Sequence, residues 1–158
     1  MEYNLPSELV KNLDFGDDAK KRVIAGVNKL AQAVKSTLGA SGKCVVYEDG
    51  RGKPVITKDG VTVAESVVLF DPVENIGATL IKEAAKNTVN DAGDGTTTAT
   101  VLAEALIKQI DAAVAEGLTI REIKDGVNNT LHDVVSYLNS ISIEVVGDML
   151  KSVSAISC

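Results

Sequence analysis

A mainly α-helical fold with one small β-hairpin is what the sequence predicts, and three observations carry that prediction. Apolar residues recur at three- and four-residue steps over four long segments, the period of an amphipathic helix. Two short β-branched runs flank Asp49-Gly50-Arg51-Gly52, a hairpin signature. Gly39, Gly93 and Gly117 each follow a helical pattern directly, where glycine commonly ends a helix.

In the first helix Val23, Val27, Leu30, Val34 and Leu38 form one face, widened by Ile24 and Ala31. Asp17 and Asp18 stand at its start, where the helix dipole favours negative charge. Gly39 reads as the stop, and Gly39-Ala40-Ser41-Gly42 as a tight turn. Residues 43–48 and 54–58 are the predicted strands, and Asp59-Gly60 ends the second. The segment "VTVAESVVLFD" fits neither period, and Asp71-Pro72 breaks the chain before the next element.

The second long helix carries Ile76, Leu80, Ala84 and Thr88 on one line, with Ile81, Ala85 and Val89 beside it. The third runs over 99–114 with Leu102, Leu106, Ile110 and Val114 in line. Ala103, Ala105, Ala112 and Ala113 fill much of the rest, so this helix is expected to be buried on most sides. Thr119 and Glu122 form a capping box. The helix they open has Ile120, Ile123, Val127, Leu131, Val134 and Leu138 as its expected core stripe.

Composition bounds the function. The 158 residues suit one domain, and 45% hydrophobic content excludes a disordered chain. With 3% aromatics and no Trp, the core must be built from Val, Ile, Leu and Ala. A net charge of -6 and scattered basic residues argue against nucleic acid as a partner. Cys44 and Cys158 lack metal-ligand spacing and suit a reducing compartment, and the lone His132 reads as a helix-surface residue. No apolar run approaches membrane-spanning length, and "MEYNLPSELVKNLDFG" has no signal-peptide pattern. A cytoplasmic protein without a membrane partner is expected.

The chemistry concentrates in "NDAGDGTTTATVLAEAL". Gly93 and Gly95 let the backbone turn sharply and approach a ligand. The helix that follows presents N–H groups without intrahelical partners, which suits phosphate, and Thr96, Thr97 and Thr98 add hydroxyls. Asp94 would repel phosphate unless a cation lay between them. Mg²⁺ bound to a polyphosphate, with Asp94 as a hard oxygen ligand, reconciles the two. A single helix cap would account for one of these residues but not for two glycines and three threonines together. The turn is neither a Walker A loop nor a dinucleotide-binding fingerprint. "STLGASG" and "ITKDGVT" could converge on it, Lys58 bringing positive charge and Asp59 a second carboxylate near the metal or its water. Taken alone, Lys58-Asp59-Gly60 reads as an ordinary hairpin-edge turn.

"TLGASGKCVV", "PVITKDGVTVA" and "NDAGDGTTTATVLAEAL", in this order, resemble a GroEL-type (group I) chaperonin. The likeness extends from about Phe15 to the last residue. It implies the N-terminal half of a helical, ATP-binding equatorial domain over 15–140, an N-terminal extension over 1–14, and the start of an intermediate domain over 141–158. On this likeness "VTVAES" is a short helix. Thr37, Leu38, Gly39 and Ala40 would line the nucleotide, and Lys58 would reach the phosphates. Asp94 would ligate Mg²⁺, Gly95, Thr96, Thr97 and Thr98 would hold phosphates, and Asp59 would be catalytic, beside the attacking water. The implied cofactors are ATP and Mg²⁺, with K⁺ a further candidate ion.

The implied partners are other copies of the chain in a homo-oligomeric ring, a co-chaperonin, and non-native polypeptides bound through an apical domain. No apical domain is recognisable here, and the family's main catalytic aspartate lies in a later segment, so weak ATPase activity is expected of this chain. Ala40 and Ser41 replace the proline and basic residue usual in the family. The alternatives are a non-enzymatic interaction module or holdase, and a short subunit that binds or caps an intact ring.

Overall fold

The structure is a computed structural model that describes residues 13–39 and 41–157. Its elements are α1 (Gly16–Lys35), β1 (Val45–Glu48), β2 (Pro54–Thr57), α2 (Gly60–Ser66), α3 (Pro72–Ala92), α4 (Thr96–Ala115), α5 (Ile120–Ile141) and α6 (Met149–Ser157). Mainly helical with one two-stranded sheet, it has the predicted fold class. The chain divides into two compact units, Met1–Ala105 and Leu106–Cys158.

The first unit is built on α1 and α3, with α2 packed against both. Val27, Leu30, Ala31 and Val34 of α1 are buried with Val73, Ala78, Ile81 and Ala85 of α3 and Val63 and Ala64 of α2. The two long helices touch backbone to backbone. A Cβ at Gly26 would lie 1.8 Å from the Glu74 carbonyl oxygen, and one at Gly77 would lie 2.0 Å from that of Val23. Polar contacts flank this contact. Asp71 caps α3 by accepting from the Val73 and Glu74 N–H groups at 2.8 and 3.2 Å. The same carboxylate receives Arg22 of α1 at 2.8–3.0 Å. The Arg22 hydrogen bond, more than the capping bonds, holds the Asp71 carboxyl below its ordinary pKa. Lys29 reaches Glu74 at 2.5 Å.

α1 ends earlier than its apolar stripe. The backbone tightens after Val34, with Thr37 N–H on Val34 and Leu38 N–H on Lys35, three-residue steps characteristic of a helix terminus. The Ser36 and Thr37 hydroxyls take the Ala33 and Val34 carbonyls, each at 2.7 Å. Leu38 therefore leaves the core face and is half exposed. In the hairpin, Val46 pairs with Ile56 and Glu48 with Pro54. The Asp49 side chain accepts from the Arg51 and Lys53 N–H groups and organises the turn. The left-handed residue there is Gly52, at φ +76°, rather than Gly50 of the Asp-Gly pair.

Two expectations about burial need correction. α4 was expected to be buried on most sides, yet its buried residues are Thr96, Thr100 and Glu104, while Leu102 and Leu106 are exposed. In the second unit α5 has the predicted capping box, with Thr119 N–H on Glu122 at 2.9 Å and Glu122 N–H on Thr119 at 3.3 Å. Its expected core stripe lies open, with Ile120 at 65% and Leu131 at 55% exposure and Val134 and Leu138 similarly placed. Only Ile123 and Val127 of the stripe are half-buried. A helical period reports which face is apolar. It does not report whether another element covers that face.

The close contact of α1 and α3 is directly testable. Gly26→Ala places a methyl group inside the Glu74 carbonyl, a clash with backbone that no side-chain rotation relieves. It should lower unfolding free energy by about 2–3 kcal/mol, measured by urea denaturation. Gly126→Ala, at a position with no atom within 4 Å of the added carbon, should leave stability equal or higher.

Candidate functional site

The site is assembled from three chain reversals of the first unit. The first joins α3 to α4. Gly93 ends α3 in the left-handed region at φ +75° and returns its N–H to Val89 at 2.8 Å. Gly95 is left-handed too, at φ +90°. Between them Asp94 accepts the Gly95 N–H through Oδ1 at 2.6 Å. Residue 99 was the expected start of α4, but the three threonines are already its first turn. Ala99 N–H reaches the Gly95 carbonyl at 2.9 Å. The N–H groups of a first turn have no acceptor within their own helix, and they sit at the positive end of the dipole.

The second reversal follows α1. Thr37, Leu38 and Gly39 leave the helix end, and Gly39 is at φ +73°. Gly42 N–H closes on Gly39 at 2.9 Å and Lys43 N–H on Ser36 at 2.7 Å. A Cβ at Gly42 would fall 2.2 Å from the Thr37 carbonyl oxygen, so only glycine fits this closure.

The third reversal is the link from β2 into α2. Asp59 is the N-cap of that helix. Its Oδ2 accepts the Thr62 N–H at 2.8 Å and the Thr62 hydroxyl at 2.6 Å, and Oδ1 accepts the Val61 N–H at 3.4 Å. Gly60 is buried, and a Cβ there would lie 2.6 Å from Thr97 Oγ1 and 3.7 Å from Thr37 Oγ1. The start of α2 thus touches both other walls.

These reversals enclose a cavity of about 210 Å³ lined by Thr37, Leu38, Gly39, Asp59, Gly60, Asp94, Gly95, Thr96, Thr97 and Thr98. Nearly every residue singled out from sequence lines it. Lys58 does not, being exposed on the preceding link. Ala40 lies outside the described residues. Gly60 was missed, because Asp-Gly read as the end of a strand. The Asp59-to-Thr62 spacing, a cap followed by a hydroxyl three residues on, was the signal for a helix start. A larger cleft of about 480 Å³ lies along α2 and α3. Its charged side chains stand on helix surfaces, with Lys82 Nζ on the Glu65 carbonyl at 3.3 Å.

The electrostatics of the smaller cavity are distinctive. Among the described residues two carboxylates line it and no lysine, arginine or histidine does. No cluster of three or more metal-ligating side chains occurs among the described residues. The donor set fits a hard cation shared with a ligand's oxygens rather than caged by protein. The Thr62 hydroxyl, followed by the Thr62 and Val61 N–H groups, holds the Asp59 carboxyl below its ordinary pKa against the opposing effect of burial. Asp59 is therefore ionised at neutral pH and is a poor proton acceptor.

That shift sets a pH dependence. The Asp59 cap contributes stability above the unfolded carboxyl's pKa of about 3.9, and the contribution is lost as pH falls from there through the lower folded value. Asp59→Asn keeps a capping side chain without the charge. Its urea midpoint should fall less than that of the wild type between pH 5 and pH 3 (about the window set by those two values). Equal slopes would show that the ionised form is not preferred.

The model of the TCP-1/cpn60 chaperonin family matches residues 30–158, a span that contains all three reversals. No helix among the described residues is long and apolar enough to cross a membrane. The chain belongs to the TCP-1/cpn60 chaperonin family, and its role is of the chaperonin type, in protein folding.

Proposed function

We propose that this chain supplies the phosphate-binding part of a Mg-ATP site in a ring-forming, group I chaperonin subunit of the cytoplasm. Residues 15–140 would then be the N-terminal half of the equatorial domain and 141–158 the start of the intermediate domain. The observation that carries the reading is the convergence of Thr37–Gly39, Asp59–Gly60 and Asp94–Thr98 on one small polar cavity. At about 210 Å³ it is smaller than a complete small-molecule site of roughly 300–1,000 Å³. It suits the polyphosphate end of a nucleotide.

Each group has a role that its geometry permits. The first turn of α4 offers N–H groups and the Thr96–Thr98 hydroxyls to phosphate oxygens. Asp94 is the oxygen ligand for Mg²⁺, which supplies charge neutralisation and polarises the terminal phosphate when bound. Asp59, ionised and fixed by its capping bonds, would orient a water rather than take a proton from it. Lys58, outside the lining, contributes long-range charge at most. K⁺ would fit the same oxygen-rich lining. Non-native polypeptides, a co-chaperonin and neighbouring copies remain the partners expected for the parent assembly.

A second reading has its own support. The open apolar stripe of α5 favours association, either with hydrophobic chains or with an intact ring. Under it the chain self-associates and binds a hydrophobic dye. A compact monomer in sedimentation, with no dye signal, would rule it out.

The nucleotide reading is tested by calorimetry. Asp94→Ala should weaken Mg-ATP binding by at least about tenfold, the scale of one lost charge-assisted contact, with unchanged helix content. Gly60→Ala should weaken it too, because its methyl group must displace the Thr97 hydroxyl. Undiminished Mg-ATP affinity in Asp94→Ala would overturn the assignment.

A further inference from the structure

The buried line of α4 is polar. Thr96, Thr100 and Glu104 stand four residues apart on one side of the helix, at 7%, 0% and 2% exposure. Thr100 returns its hydroxyl to the Thr96 carbonyl at 2.9 Å. The Glu104 carboxylate, almost wholly out of water, forms an ion pair with Lys35. Neither residue lines the cavity, so phosphate contact does not account for the pair.

Its place in the chain does. Lys35 is the last residue of α1 and directly precedes the segment that brings Thr37 to the cavity. Glu104 lies about two turns along α4 from Thr96. The pair therefore ties together the two elements whose ends form facing walls. A buried carboxylate is costly without a cation, so Glu104 draws the partly exposed Lys35 side chain onto it. Apolar side chains would join the helices as firmly, since a buried ion pair adds little net stability over a well-packed apolar pair. What a charged pair adds is a directional tie.

We propose that Lys35 and Glu104 are positioning residues of the Mg-ATP site, whose ion pair sets the distance between the Thr37 wall and the first turn of α4. The proposal rests on the nucleotide reading of that cavity. It separates affinity from stability, which a purely structural pair would not do.

The test compares the wild-type chain with Lys35→Met/Glu104→Leu, Glu104→Gln and Lys35→Arg, reading urea midpoints and calorimetric Mg-ATP affinity for each. The double apolar variant should keep or raise the midpoint while weakening Mg-ATP by about tenfold, the lower end of effects seen for residues that orient a site's ligands. Lys35→Arg should retain affinity, because the guanidinium can still meet the carboxylate. Glu104→Gln, nearly isosteric, should weaken binding in the same direction and serves if the double variant lacks a cooperative transition. Wild-type affinity in the double variant, or in Glu104→Gln, overturns the proposal. If the nucleotide reading itself fails, the wild type shows no binding that Asp94→Ala removes. If only the positioning role fails, that control still works.

Discussion

The contact between the α1 and α3 backbones at Gly26 and Gly77 fixes everything that forms the site. Glycine inside a helix costs about 1 kcal/mol relative to alanine, and here each glycine sits where a methyl group would enter the partner's carbonyl. Closeness of the helices offsets that cost. It buries Val27, Leu30, Ile81 and Ala85 in a core that, among the described residues, contains no aromatic ring. It also brings Arg22 onto the carboxylate that caps α3. One carboxylate thus starts α3 and anchors it to α1. The chain leaves α1 into the Thr37 segment, enters α2 with Gly60 against Val34, and leaves α3 into Gly93–Gly95. All three reversals inherit their positions from the same helix pair.

The charge of the cavity follows from which residues reach it. Asp59 and Asp94 line it, while Lys58 does not. A phosphate entering this space meets helix-start N–H groups and hydroxyls, but also two negative side chains. At separations of about 4 Å and an effective dielectric near 20, one like-charge pair costs about 4 kcal/mol. Backbone dipoles at a helix start are worth roughly 0.3–1 kcal/mol each for an exposed anion. Dipoles alone do not outweigh two carboxylates. A divalent cation would reverse the sign of that sum, so under the proposed nucleotide reading phosphate binding would depend on the metal. The depressed Asp59 pKa points the same way, since an ionised carboxylate repels bare phosphate across the whole neutral range.

Much of this was legible in the sequence, for reasons that differ by element. The long helices were visible because Val27, Leu30, Val34, Ile81 and Ala85 repeat at helical spacing and are in fact buried. The grouping of Asp94, Gly95 and the three threonines around one cavity was legible because two glycines and three threonines together exceed what a single helix cap needs. The helix α2 was legible through the family likeness and not through its pattern, since seven residues are too few for a period to emerge. Its start was hidden by an Asp-Gly pair that reads equally as a strand end. The early end of α1 was hidden because Leu38 keeps the apolar rhythm after Ser36 and Thr37 have turned their hydroxyls back on the helix. Burial of α4 was misjudged for a related reason. Leu102 and Leu106 make the louder pattern, but Thr96, Thr100 and Glu104 make the face that is covered.

That reversal on α4 has a physical consequence. The covered side of the helix carries the Thr100 hydroxyl, turned back on its own helix at the Thr96 carbonyl, and Glu104, whose ion pair with Lys35 is a directional tie to α1. The apolar side, where exposed leucines lie, is capable only of non-directional attachment. Burying one such side chain is worth roughly 1.5–3 kcal/mol, and α5 presents Ile120, Leu131, Val134 and Leu138 in the same condition. A chain that is 45% hydrophobic thus divides its tasks. Polar contacts and glycine notches set the geometry around the cavity. The larger part of its unburied apolar surface is left on helix faces suited to association, where the tolerance for displacement is wider.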